Sequence, residues 1–137
     1  MSRSFRRSTG RRGNAVIEAV LVIPILLLLA FGTVEFGHFF FVKHNLQGAA
    51  REGARAAIVS GATNGDVNDA VSASMTAAGL EGSGYTVTTN PADLSTATTG
   101  TDITVTVQCT WGDVGIRPMG MISDAKLARA ATVMRKE

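Results

Sequence analysis

Two histidines, one cysteine and eleven carboxylates are the obvious groups in this 137-residue chain for metal, nucleophilic or acid–base chemistry. A zinc site needs about four ligands such as Cys and His. Here Cys109 stands alone, and His38 and His44 are six residues apart, which does not stack them on one helical face. A lone cysteine makes no internal disulfide and gives no independent sign of redox compartment. Asp66 and Asp69 in "NGDVND" lack the twelve-residue ligand spacing and terminal Glu of a calcium-binding loop, and helix capping accounts for them. No Gly-x-Ser-x-Gly, HExxH or phosphate-binding Gly-Lys-Ser/Thr occurs. The glycine cluster "GLEGSG" neither follows a convincing strand nor contains Lys. The expectation is a protein that is not an enzyme and holds neither metal nor cofactor.

One carboxylate stands apart. In "RRGNAVIEAVLVIPILLLLAFG", Glu18 lies five residues past Gly13, at the lip of a run with no ionisable residue from Ala19 to Val34. An acid at the centre of a bilayer costs about 2.5 to 3.5 kcal/mol on insertion scales, less near the end of a span. Residues 19–42 number 24 and add only Glu35 and His38, which is about 36 Å of helix at ~1.5 Å per residue, enough to span a bilayer with some tilt. Arg3, Arg6, Arg7, Arg11 and Arg12 all precede Gly13 with no acid among them. Of thirteen Lys and Arg, eight remain beyond it against eleven acids. Such an arm beside an apolar segment points to membrane orientation and not to nucleic acid, for which no helix-turn-helix, RRM or zinc pattern is present. By the positive-inside rule the leader stays cytoplasmic and everything after Lys43 is extracytoplasmic. A signal peptide would have a shorter apolar core and an Ala-x-Ala-like end, whereas this run ends in "VEFGHFFFVKH".

The order of basic leader, Gly13, "NAVIE" and apolar run resembles the class III leader of type IV pilins. With "AAREGARAA" downstream, "GNAVIEAVLVIPILLLLAFGTVEFGHFF" resembles the TadE-like pseudopilins of tight-adherence (Tad, or Flp) pilus systems, over about residues 11–59. The resemblance implies cleavage by a prepilin peptidase between Gly13 and Asn14, which makes Glu18 the fifth residue of the mature chain. A freed amino group on one subunit would then meet the Glu18 carboxylate of a neighbour. Ala19 departs from the aromatic that often follows the glutamate in that family. Pro24 sits where the family carries its proline, and its missing N–H leaves the Val20 carbonyl without that partner, so a kink is expected there. Glu35, 17 residues beyond Glu18 and about 25 Å along a helix, is expected to be a wet acid at the opposite interface, and both histidines are read as interfacial.

The supporting elements follow from periodicity. The helix is expected to continue through "NLQGAAREGARAAIV", where Leu46, Ala50, Ala54 and Ile58 recur at i+4. Ala49, Gly53, Ala57 and Gly61 form a small-residue stripe, expected to lie on the protein's own sheet. Asp66 is a candidate N-cap of a short second helix, with Val67, Val71 and Met75 on one face and Gly79 as its stop. "GYTVTTN" and "TDITVTVQCTW" alternate as half-buried strands, with Ile103, Val105, Val107, Cys109 and Trp111 sharing the apolar face. Residues 126–137 are compositionally helical, and the family comparison turns the expectation to strand.

The expected fold is α+β: a leader at 1–13, a transmembrane helix at 14–42 and an extracytoplasmic pilin-like domain at 43–137, with a short helix and an antiparallel sheet. The resemblance implies a minor pilin or pseudopilin of the inner membrane that assembles with other pilins, contacts membrane lipid and serves adhesion or biofilm formation. The alternative is an uncleaved single-pass protein with an outer domain that binds a ligand or partner.

Overall fold

In the computed structural model, which describes residues 10–137 and side chains from Ala15 onward, one helix dominates. Helix α1 (Gly10–Ala57) runs 48 residues and is not interrupted at Pro24. It is followed by α2 (Asn64–Ala77), β1 (Thr86–Asn90), β2 (Asp102–Thr110), the four-residue α3 (Trp111–Val114) and β3 (Leu127–Arg135). The strands form one antiparallel sheet in the order β1-β2-β3, with β2 central. The architecture is the expected α+β arrangement of a long apolar helix and a small helix-and-sheet domain.

The last third of α1 lies across this sheet with α2 beside it. Val42, Leu46, Ala49, Ala50, Ala54 and Ala57 are buried on its inner face, while Ile58 is only half-buried. Opposite them β2 presents Ile103, Val105, Val107 and Cys109, all buried. The small-residue stripe does lie on the protein's own elements: a Cβ on Gly53 would come within 2.7 Å of Val71 Cγ2 and 3.2 Å of Val105 Cγ1. Gly61 does not belong to it, because it is exposed beyond the end of α1 with φ +78°.

The strand at 127–135 has a physical reason that composition conceals. Its inward residues Ala128, Ala130, Thr132 and Met134 are mostly small, and α1 packs against β3, so alanines there admit the helix closely. The register pairs Val107 with Ala130 and Cys109 with Ala128.

Helix α2 is bounded by its own chemistry, and one expectation about it needs correction. The N-cap is Thr63, not Asp66. Thr63 Oγ1 accepts from the Asp66 amide at 3.3 Å, and the Asp66 carboxylate accepts from the Thr63 amide at 2.8 Å, a reciprocal capping box with Asp66 at its third helical position. At the other end Gly79 stops the helix as expected, with φ +70°. Its amide donates to Thr76 O and that of Leu80 to Met75 O, both at 2.9 Å, a Schellman closure that also brings Leu80 into the core beside Met75.

Candidate assembly surface on the long helix

From Ala15 to Phe31 every side chain of α1 is exposed, including Val16, Ile17, Val20, Leu21 and the run of leucines at 26–29. Burial starts at Gly32 and continues with Glu35 and Val42. The helix is long and apolar enough to cross a membrane. Each large aliphatic side chain left in water forgoes about 1.5 to 3 kcal/mol of burial, which makes this stretch a candidate membrane span. Glu18 lies exposed within it. The three ion pairs among the described residues are Glu52–Arg55, Arg117–Asp124 and Asp102–Arg135. Gly13 and Asn14 belong to α1 as backbone, and the Asn14 side chain lies outside the described residues, as do Arg3, Arg6 and Arg7.

Where the domain meets the helix, the expectation for Glu35 is overturned. It is not a wet acid but fully buried. Oε1 accepts from the amide of Ile122 at 2.8 Å and Oε2 from that of Met119 at 3.3 Å. The loop between α3 and β3 therefore folds down along α1 and closes over the carboxylate, because two backbone donors there lack a partner of their own. The sequence signal that could have found this was the one that marked Glu18, an acid inside an apolar run.

One turn further along, His38 Nε2 donates to the carbonyl of Val114 at 2.8 Å. The acceptor is a carbonyl, so the proton sits on Nε2. The His38 ring stacks on Phe41, centroids 5.9 Å apart, and tilts against Trp111 at 5.7 Å. Phe39 meets Trp111 edge-on at 5.3 Å. His38 is thus partly built into the domain, whereas His44 is exposed. Trp111, expected at the end of the strand face, instead opens α3 and remains fully buried. Gly115 is required beside it, since a Cβ there would lie 2.6 Å from the indole ring.

The same loop carries Arg117, which pairs with Asp124. That hydrogen bond, and then the Asp124 charge, hold the guanidinium above its ordinary value, with Glu35 acting in the same direction. Elsewhere, Cys109 is 2% exposed and its thiol is pushed up by burial and then by Asp113, which fits packing and not nucleophilic attack. Among the described residues no group of three or more His, Cys, Asp or Glu is brought together in a way that could hold a metal ion.

The family model described as TadE-like protein matches residues 13–55. That interval holds Glu18, Pro24, Glu35 and His38, and ends within the part of α1 that packs on the sheet. No curated protein and no solved structure matches the chain.

Proposed function

From a TadE-like segment at residues 13–55, which implies a Tad pilus-associated, pilin-like role, we propose that this chain is a minor pilin or pseudopilin. It is held in the inner membrane as a precursor, with the leader cytoplasmic and the domain outside. A prepilin peptidase cuts it between Gly13 and Asn14, and it then acts with other pilins in building a Tad/Flp-type surface fibre for adhesion or biofilm formation. The single observation that supports this reading most is the division of α1. One helix offers a bare apolar half bearing Glu18 and a second half committed to the domain. A subunit that must leave lipid and stack with its own kind needs that division. After cleavage the amino group of Asn14 in one subunit neutralises Glu18 of the next, so that a charge costly in lipid becomes half of a pair.

The N-terminus of the protein isolated from its native host is the test. A chain starting at Asn14 is expected. A chain starting at or near Met1 in cells with active prepilin peptidase would leave an uncleaved single-pass membrane protein as the better account. A start beyond the apolar run would mean a signal peptide.

A further inference from the structure

The loop at 115–122 is apolar where a water-facing loop would be polar. Ile116 is 51% exposed, Met119 41% and Met121 51%, and no element of the domain covers them. Its position along α1 is fixed by contacts to three residues of that helix, Glu35, His38 and Gly32. The Ile122 and Met119 amides bind Glu35, Val114 O accepts from His38, and the Met121 sulfur lies 3.7 Å from where a Gly32 side chain would begin. Leu28, Leu29, Phe36 and Met121 line a shallow apolar groove of about 330 Å³ between helix and loop.

Depth follows from helix arithmetic. A hydrocarbon core about 30 Å thick takes about 20 residues of α-helix. The leader arginines keep the inner boundary no earlier than residue 13, and the apolar run starts by residue 19. The outer boundary then falls between residues 33 and 39, and tilt moves it only further on. Met121, beside Gly32, lies at or inside that boundary for every placement. We propose that the loop is a membrane foot: Ile116, Met119 and Met121 enter the acyl region of the bilayer that α1 spans, and Glu35 holds them there. This rests on the reading of α1 as a membrane span.

Irregular backbone is tolerated at that depth only when its polar groups are satisfied internally. Glu35 satisfies the Met119 and Ile122 amides, which shield its charge in return; the remaining backbone of the loop keeps to the hydrated headgroup layer, and only its apolar side chains dip into the acyl region. Arg117, paired with Asp124, sits where a long cationic side chain reaches the headgroup layer while its stem stays with the apolar residues. A second copy of the chain is the rival occupant, but the continuity of the patch with the bare helix at the same height favours lipid.

Spin labels decide it on the full chain in phosphatidylcholine–phosphatidylglycerol vesicles. They are placed singly at Ile116→Cys, Met121→Cys, Leu26→Cys within the span and Ser72→Cys on α2; buried Cys109 is left native and wild type serves as the unlabelled control. Labels at 116 and 121 are expected to collide with oxygen and lose nearly all collision with a water-soluble nickel chelate, as at 26, with 72 showing the reverse. Adding Glu35→Ala is expected to restore nickel access at 121; unchanged depth would remove the holding role. A label at 26 in lipid with those at 116 and 121 open to nickel overturns the foot and leaves the span standing. A label at 26 open to nickel removes the span and the foot together. Spin–spin broadening at 121 that persists on dilution with lipid assigns the patch to a second copy and overturns the proposal.

Discussion

The carboxylate of Glu35 accepts a hydrogen bond of 2.8 Å from the backbone amide of Ile122, 87 residues further along the chain. A group on the long apolar helix thereby sets the course of a loop in the C-terminal quarter of the domain. Glu35→Ala leaves the Met119 and Ile122 amides without their acceptor, and an unsatisfied buried donor costs about 1 to 3 kcal/mol. Glu35→Gln retains one carbonyl oxygen but presents a donor to the second amide, so it is expected to fall between alanine and wild type. Trp111 is the sole tryptophan and packs against His38 and Phe39. Its emission in micelles, followed against urea, reads the loss directly; equal midpoints for wild type and alanine would contradict it.

Two glycines on one helix are expected to respond oppositely to alanine. At Gly53 the new methyl meets Val71 and Val105, with Val71 Cγ2 only 2.7 Å away. Overpacking of that kind costs about 1 to 3 kcal/mol, more than the helix-propensity gain of about 1. At Gly48 nothing lies within 4 Å, and Gly48→Ala is expected to stabilise by about 0.5 to 1 kcal/mol. Unfolding midpoints shifting in the same direction would mean that α1 does not approach α2 as closely as described.

Reading the sequence reached the elements further than the contacts between them. Strand β2 was legible because its alternation of Ile103, Val105, Val107 and Cys109 with polar residues has a single structural solution. The face of α2 was legible for the same reason, although its cap was assigned three residues late. Thr63 lies outside the periodic segment, and the reciprocal bond to Asp66 shows only once the turn is folded. Glu35 was misread because its partners are backbone amides 84 and 87 residues away, and amides carry no mark in a sequence. The composition of β3 favours helix and only the family resemblance turns the expectation to strand; the physical reason, α1 lying over its alanines, exists only in the folded chain.

The folded domain is expected to lose stability in acid through two exposed aspartates. Asp66 is held below the ordinary carboxylate value by the Thr63 amide and then its hydroxyl, and Asp93 by the side chain and then the amide of Ser95. Both are depressed in the folded state. Their contribution is therefore fully present above the unfolded value of about 4 and disappears as pH falls through the folded values. Midpoints measured from pH 7 downward should be flat with respect to these groups until about pH 4 and then decline. Asp66→Asn should flatten part of that decline, and an unchanged acid limb in this variant would show that the capping box does not carry the effect.

Cys109 is expected to resist thiol reagents in the native protein. Its thiol is raised by burial and then by Asp113, and it is nearly inaccessible; the attacking species is the thiolate, which is scarce and shielded here. At pH 8 maleimide should modify the folded chain far more slowly than the chain in urea. Labelling at the rate of a free peptide thiol would mean that the junction of β2 and β3 opens readily.

If the proposed function holds, Glu18→Gln separates maturation from assembly. The substitution preserves size and keeps one acceptor oxygen while removing the charge, so the peptide bond between Gly13 and Asn14 keeps its neighbours and cleavage should proceed. The amide is also cheaper than a carboxylate in lipid, so the variant should be at least as well retained in the membrane. What it loses is attraction for the amino terminus of an adjoining subunit, and a charged partner contributes more than a neutral one to such a bond. Processed chains of the glutamine variant are expected to accumulate in the membrane fraction while sheared surface fibres diminish, with Glu18→Asp intermediate because its shorter side chain reaches less far. Fibres formed at the wild-type level by correctly processed Glu18→Gln protein would remove the pairing from the account of assembly while leaving the membrane anchor intact.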